Sequence, residues 1–148
     1  MSVNWCTFSI ERLKDYNNKK EAVESLAEQI KALNENFTAI RSATTDSTPI
    51  KGGNSNRREE MLIKNIAMRE ELKNNLKIAK HEIAITEKGL ASLTETEKKI
   101  LTRFYIQRSK GYVERLCDEL FVSKTELYRQ KEEALKKFTT VCYGIVEL

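Results

Sequence analysis

The sequence predicts an all-α protein, in which a long antiparallel helical hairpin of the coiled-coil type is followed by a C-terminal helix-turn-helix domain. Only five glycines and one proline occur among 148 residues, so the backbone is seldom required to turn. In the N-terminal part, apolar side chains recur at steps of three and four, which is the spacing of one helix face. Toward the C-terminus, short segments with explicit helix start signals replace these long periodic stretches.

The first helical pattern runs from Ser9 to about Arg41. From Val23 onward the apolar steps alternate between three and four, which keeps one stripe facing a partner helix, as in a coiled-coil seam. Ser9, followed by Glu11 in the first turn, is the predicted N-cap. The apolar positions are Ile10, Leu13, Tyr16, Val23, Leu26, Ile30, Leu33, Phe37 and Ile40.

A flexible loop is predicted over residues 42–57, because this segment is rich in Ser, Thr, Asn and Gly and holds the single proline, Pro49. A second helical pattern then runs from Arg58 to about Leu90, with Thr86 as the one polar residue of its seam. The two patterns have the same length, about 33 residues or roughly 50 Å, which suits an antiparallel hairpin. Its seam positions are Leu72, Leu76, Ala79, Ile83 and Leu90.

Residues 1–92 are therefore predicted to form a hairpin and oligomerisation region. Two helices bury little apolar surface by themselves, so the apolar positions outside the seam need a further partner. We expect them to face a second chain or the C-terminal domain, and we expect a homodimer. These positions are Met61, Ile63, Ile66, Met68, Ile78 and Ile85.

Residues 93–148 are predicted to form the second domain. Thr94 and Glu97 have the spacing of a capping box, in which the hydroxyl and the carboxylate each take one free backbone N–H at a helix start. The helix that begins there is expected to end near Ser109, because Gly111 can adopt the left-handed conformation that closes a helix.

A helix-turn-helix follows. Its first helix is predicted over residues 112–120, and Ser123 and Glu126 repeat the capping-box spacing after a very short turn. Two helices joined by three or four residues fit a helix-turn-helix packed on the helix that starts at Thr94. The apolar positions that support this packing are Leu116, Cys117, Leu120, Val122, Leu127, Ala134, Leu135 and Phe138.

The second helix of this pair is expected to project its first turns outward, where its side chains can reach base edges or phosphates in a major groove. The predicted DNA-binding residues are Ser123, Lys124, Thr125, Glu126, Tyr128 and Arg129, with Arg108, Lys110 and Arg115 as phosphate contacts beside them. Glu126 can either cap the helix, which we favour, or accept a hydrogen bond from a cytosine amine. Tyr128 can contact DNA or pack beside Leu127. Basic residues are also common on any solvated helix face.

Residues 93–138 resemble the promoter-reading C-terminal helix-turn-helix of bacterial sigma factors. The matching positions are Cys117 as the small residue, Leu120, Phe121 and Val122 in the turn, Ser123 to Leu127, and then Ala134 and Leu135. Two residues depart from the pattern. Phe121 stands where many such turns have glycine, and Lys131 stands at a position that is usually apolar. The second departure implies a shallower core or a lysine whose stem lies along the core.

Over the whole chain, the order of elements resembles the ArpU/RinA-type phage transcriptional regulators. That order is an N-terminal helix, a loop with Gly52 and Gly53, a second long helix and the sigma-like C-terminus. The resemblance implies a regulator that binds double-stranded DNA, activates late genes of phages or prophages of Gram-positive bacteria, and acts in the bacterial cytoplasm. RNA polymerase is a further partner to consider.

Two alternatives remain open. One is a protein like the small terminase subunit of a phage DNA-packaging machine, which also joins a helix-turn-helix to helical oligomerisation elements. The other is a helical interaction protein that grips RNA polymerase without binding DNA. The net charge of +4 permits contact with phosphate but does not distinguish these functions.

No catalytic, cofactor or metal site is predicted, and we expect no enzyme. His81 is the single histidine, no glycine-rich phosphate loop is present, and the acidic residues come in runs interleaved with lysine and arginine. Cys6, Cys117 and Cys142 form no CxxC pair and are interpreted as buried thiols. No apolar window reaches the ~18 residues of a membrane span, and no signal peptide is evident, so a cytoplasmic protein is expected.

Overall fold

The computed structural model describes residues 3–46 and 54–144, and within these ranges the chain forms helices joined by short turns, without a strand. The all-α prediction is therefore confirmed. A π-helical turn, Thr102–Ile106, continues α3. The helices are α1 (Trp5–Asp46), α2 (Asn54–Ala91), α3 (Glu95–Leu101), α4 (Tyr112–Leu120) and α5 (Lys124–Tyr143). None of the helices within the described ranges holds a segment long and apolar enough to cross a membrane.

The start of α1 differs from the prediction. Asn4 caps the helix, since its Oδ1 accepts the backbone N–H of Thr7 at 3.0 Å. The prediction that Ser9 is the N-cap is wrong. Ser9 is fully buried one turn into the helix, with its Oγ 2.7 Å from Oγ1 of Thr139. Ser9 therefore contributes to the packing of α1 against α5 and does not start the helix.

The two long helices also reach further into the predicted loop than expected. Residues 42–46 belong to α1 and residues 54–57 to α2, so these parts of the predicted 42–57 loop are helical. The remaining positions, with Pro49 and the Gly52-Gly53 pair, lie outside the described residues.

The chain divides into two compact units. The C-terminal unit contains residues 1–19 and 81–148, and the hairpin unit contains residues 20–80. One core cluster of the C-terminal unit unites the start of α1 and the end of α2 with α3 and α5: Leu13, Leu90, Leu93, Leu101, Ala134, Leu135 and Phe138. The domain boundary expected between residues 92 and 93 thus falls inside this unit, because α1 and α2 complete its core.

α1 and α2 pair in antiparallel fashion. In the C-terminal unit, Arg12 near the start of α1 forms an ion pair with Glu82 at 2.6 Å, near the end of α2. In the hairpin unit, the carbonyl of Leu33 accepts the side-chain amide of Asn65 at 2.9 Å. Residues late in α1 therefore meet residues early in α2, as the predicted hairpin requires.

The capping box at the start of α3 is confirmed. The Thr94 hydroxyl accepts the Glu97 N–H, and the Glu97 carboxylate accepts the Thr94 N–H, both at 3.2 Å. Lys137 of α5 lies 2.9 Å from the same carboxylate. Burial by itself raises the pKa of Glu97, but the hydrogen bonds from Lys137 and Thr94 outweigh it and lower the pKa. The cap therefore also ties α3 to α5.

The predicted end of this helix near Ser109 is wrong. The α-helical hydrogen bonding stops at Leu101, and the chain continues as the π-helical turn to Ile106. Gly111 does adopt the left-handed conformation, with φ of 74°, but it does so as the N-cap of α4. The glycine therefore starts the next helix and does not close the previous one.

Candidate nucleic-acid interface

α4 covers the residues predicted for it, and three residues, 121–123, join it to α5. The N–H of Val122 donates to the carbonyl of Cys117 at 3.1 Å, five residues back, as in a Schellman C-cap. The hydroxyl of Ser123 then accepts the N–H of Glu126 at 3.1 Å and starts α5. Local hydrogen bonds therefore fix the sharp reversal between the two helices.

A second core cluster holds this helix pair against α3. The side chains of Ile100, Leu116 and Leu127 are fully buried, one from each helix, and Phe104 of the π-helical turn is nearly so. Half-buried Leu120 and Val122 close the cluster on either side of the turn residue Phe121. The apolar pattern of the sequence predicted Leu116, Leu120, Val122 and Leu127 as packed positions, and the whole cluster orients the first turns of α5.

Phe121 is an unusual residue for its position. It takes the left-handed conformation, with φ of 56° and ψ of 45°, and it is the one non-glycine residue with positive φ in the part of the chain described. Its side chain is 94% exposed. The helix end needs this backbone conformation, which explains why glycine is common there, and an L-residue adopts it at a cost.

We expect Phe121→Gly to raise the free energy of unfolding by about 0.5–1 kcal/mol. Relief of the left-handed strain gives about 1–2 kcal/mol, and the greater freedom of glycine in the unfolded chain removes about 0.5–1 kcal/mol of that gain. Urea unfolding followed by circular dichroism measures the difference. Phe121→Ala is the matched control, because it removes the ring and keeps Cβ. An equal gain in the alanine variant would assign the effect to the exposed ring and contradict the strain argument.

Arg129 lies on the second turn of α5 between two carboxylates. Its Nε donates to Oε2 of Glu126 at 2.8 Å, its Nη2 donates to the other oxygen of Glu126, and its Nη1 donates to Glu133 at 2.6 Å. These hydrogen bonds raise the pKa of the guanidinium, Glu126 contributing most. The Arg129 side chain is nevertheless 55% exposed.

This arrangement leaves Arg129 able to bind a further group. A guanidinium carries five N–H donors, and three are used here, so two remain for a guanine edge or a phosphate. The carboxylates hold the flat group in one orientation before any partner arrives. Lys124 and Thr125 are exposed on the preceding turn.

The structure corrects the preferred interpretation of Glu126. Its backbone N–H takes part in the cap of α5, but its carboxylate does not complete a capping box, because both oxygens accept from Arg129 and one also accepts from Gln130 at 3.1 Å. Hydrogen bonds from Arg129 and then Gln130 lower the pKa of Glu126 from 4.5 to about 2. The ion pair therefore stabilises the fold above pH 4.5, and this stabilisation is lost as the pH falls toward 2.

Tyr128 packs and is exposed at the same time. Its ring meets Phe104 edge-on at 5.7 Å, while 39% of the residue remains accessible. Tyr112 meets the same phenylalanine at 5.1 Å. Lys131 lies across this aromatic cluster, with Nζ 5.4 Å from the Phe104 ring and 5.3 Å from the Tyr128 ring. The lysine stem thus lies along the core, which is one of the two alternatives expected for this position.

The three basic residues before and within α4 have different surroundings. Arg108 donates to the Tyr112 hydroxyl at 2.9 Å and remains exposed, as does Lys110. Arg115 folds back and donates to the carbonyl oxygens of Lys110 and Gly111. Arg115 therefore closes the loop before α4.

The sequence did not single out Glu133 or Gln130, although their spacing of four from Arg129 and Glu126 is a signal for such contacts.

No group of three or more His, Cys, Asp and Glu side chains that could hold a metal ion occurs within residues 3–46 and 54–144. The thiols of Cys6, Cys117 and Cys142 are free and half-buried. Burial raises the pKa of the Cys142 thiol, whose Sγ lies 3.8 Å from the carbonyl oxygen of Ile85.

The fold and the candidate site define an all-helical protein in which α4, a three-residue turn and α5 pack on α3. Residues 39–139 match the family described as "Protein of unknown function (DUF1492)". This match covers more than half of the chain and includes all of the candidate interface residues, so the chain belongs to the DUF1492 family. No curated protein and no solved structure matches the chain.

Proposed function

We propose that this protein is a sequence-specific DNA-binding transcriptional regulator, which activates late genes of a phage or prophage and acts as a homodimer in the bacterial cytoplasm. The observation that carries the proposal is the first two turns of α5. There a short turn presents exposed Lys124, Thr125 and Arg129, and two carboxylates hold the guanidinium of Arg129 while two of its donors stay available.

The packing behind these residues supports the same function. A reading helix must be held rigidly by the elements beneath it, since its side chains have to meet base edges within a narrow groove. Leu127 anchors the second turn of α5 in the core shared with α3 and α4, and Tyr128 braces it on Phe104. The resemblance of residues 93–138 to the promoter-reading domain of sigma factors, and of the whole chain to ArpU/RinA-type regulators, agrees with this arrangement.

The homodimer is proposed because one helix-turn-helix domain contacts only a short stretch of DNA. A single helix-turn-helix reads few base pairs, so selectivity requires a second copy on a neighbouring half-site. Direct contact with RNA polymerase is part of the proposal for activation, because a regulator that binds beside a promoter acts through the polymerase. Pull-down of purified polymerase by the full chain, without DNA, tests that contact.

The proposal is tested by selecting duplexes from a random-sequence pool with the full chain. We expect the selected duplexes to share a motif with two related halves. Binding to the motif should fall by about 10³-fold or more between about 50 and 200 mM salt, because phosphate contacts release counterions. A scrambled duplex of the same composition is the control.

Selection without a shared motif, or binding that does not respond to salt, would overturn the proposal. Assembly into rings of about eight or more subunits would instead support a packaging role. A dimer that prefers a two-part site supports the regulator.

A further inference from the structure

Two glutamates enclose Arg129 on the outward face of α5. Arg129 follows the buried Leu127 by two residues, so at about 100° per residue the two side chains leave opposite faces of the helix. Glu126 lies one turn before Arg129 and Glu133 one turn after it, and both carboxylates bind the guanidinium. The three side chains carry one positive and two negative charges, so the group is negatively charged overall.

The carboxylate of Glu126 is itself held in place. The backbone N–H of Glu126 donates to the Ser123 hydroxyl at 3.1 Å, and one carboxylate oxygen accepts the side-chain amide of Gln130 at 3.1 Å. With a pKa of about 2, this carboxylate stays charged at neutral pH. The main partner of Arg129 is therefore fixed both in position and in charge.

Folding stability does not account for this arrangement. The side chains of Arg129, Glu126 and Glu133 are 55%, 37% and 58% exposed, and ion pairs in contact with water contribute little to the free energy of unfolding. The pairs do restrict the guanidinium, in which Nη1 and Nη2 each keep one N–H that has no partner within the described residues. Binding through these two donors loses less conformational entropy, because the side chain is already ordered.

The charge of the group decides which part of DNA these two donors fit. The two carboxylates repel an approaching phosphate, whereas the edge of a base carries no net charge. In the major groove, guanine presents two neighbouring acceptors, O6 and N7. Adenine combines an acceptor with a donor, thymine combines an acceptor with a methyl group, and cytosine presents a donor. Two free donors within a negatively charged group therefore favour guanine.

We propose that Glu126 and Glu133 are positioning residues that determine the specificity of the DNA interface. They direct the two remaining donors of Arg129 to O6 and N7 of a guanine and prevent the guanidinium from binding a backbone phosphate. Exposed Lys124, which forms no ion pair within the described residues, supplies a phosphate contact beside it. This inference rests on the proposed DNA-binding function and names the base that the site reads.

A modified base in the selected DNA motif tests the contact with guanine. Each guanine of the motif is replaced in turn by 7-deazaguanine, which keeps its Watson–Crick pairing but lacks the N7 acceptor. At one guanine of each half-site, we expect the replacement to weaken binding of the full wild-type chain by about tenfold. Binding by Arg129→Ala should not respond to the same replacement, because the donors are absent. Fluorescence anisotropy measures both affinities.

Glu126→Gln tests the role of the carboxylates. It should lower the ratio of motif affinity to scrambled-duplex affinity by about tenfold and reduce the response to 7-deazaguanine. The released guanidinium should bind a phosphate, so the slope of log affinity against log salt for the scrambled duplex should become steeper by about 1 for each copy of the chain. Glu133→Gln should act in the same direction and less strongly, since it removes one hydrogen bond to Arg129 and not two.

Glu132→Gln is the matched control. Glu132 is exposed beside Glu133 and carries the same charge, but it pairs with Lys131 at 2.9 Å. Its replacement should raise the affinity for both duplexes by the same factor and leave their ratio unchanged. Circular dichroism should show the same helix content for every variant, because all of the changed carboxylates lie at the surface.

The outcomes separate this inference from the proposed function. A shared motif together with wild-type selectivity in Glu126→Gln and Glu133→Gln would overturn this inference and leave the DNA-binding regulator standing. A motif whose half-sites contain no guanine sensitive to the loss of N7 would do the same. Equal loss of selectivity in Glu132→Gln would show that surface charge alone is responsible. The absence of any shared motif would overturn both proposals.

Discussion

Arg129→Ala is expected to weaken binding to the selected DNA motif by about 10- to 100-fold, because a bidentate arginine contact with a guanine contributes about 1–3 kcal/mol of discrimination. Arg129→Lys should restore part of the affinity and little of the selectivity. Lysine keeps the positive charge, but it lacks the planar fork that Glu126 and Glu133 orient. Fluorescence anisotropy with the motif and with its scrambled control measures both quantities at one salt concentration.

Lys136→Ala is the control for this prediction. Lys136 is exposed on the same helix, seven residues after Arg129. Its replacement by alanine removes one positive charge, as Arg129→Ala does. It should change the affinity less than Arg129→Ala does and leave the selectivity unchanged. Equal losses for both variants, with the same effect on the scrambled duplex, would show that Arg129 contributes charge alone and reads no base.

The elements that were predicted correctly from the sequence are those that depend on residues close together along the chain. The capping box of Thr94 and Glu97 forms as expected, and α4 has the expected bounds, because each depends on bonds within a few residues. The turn at Phe121 follows the same logic. Its position was predicted from the spacing of the two helices, and the left-handed backbone is what a helix end of this kind requires.

The features that sequence missed depend on contacts between distant segments. Serine is a preferred N-cap residue, yet Ser9 is buried against Thr139, which lies 130 residues further along the chain. The extent of the C-terminal unit was missed for the same reason. Leu13 was predicted as an apolar position of the first helical pattern and Leu90 as a seam position of the second, and only their packing with Phe138 shows that they complete another core.

The candidate site was predicted in part. The exposed positions of α5 followed from the helical period once the apolar face was known, so the exposure of Lys124 and Arg129 was predicted. The partners of Arg129 were not, because many glutamates precede or follow an arginine by three or four residues without contacting it. The choice between a cap and an ion pair for Glu126 depends on side-chain geometry, which spacing alone leaves open.

Gly89→Ala is expected to destabilise the protein by about 1–3 kcal/mol, although alanine is the better helix former. Helix propensity alone predicts that alanine at this position of α2 raises the free energy of unfolding by about 1 kcal/mol. Packing predicts the opposite, because a Cβ at Gly89 would lie 2.7 Å from the Phe138 ring and 2.8 Å from the Sγ of Cys142. Phe138 is fully buried and cannot move aside, so overpacking outweighs propensity.

Urea unfolding of the full chain measures this effect, with Ala84→Gly as the control for propensity at an exposed position of α2. Ala84→Gly should lower the free energy of unfolding by about 1 kcal/mol. If Gly89→Ala raised the midpoint instead, the close approach of α2 and α5 would be contradicted. Adding Phe138→Leu to Gly89→Ala should cost less than the two single effects summed, since the smaller side chain makes room for the methyl group that Gly89 excludes.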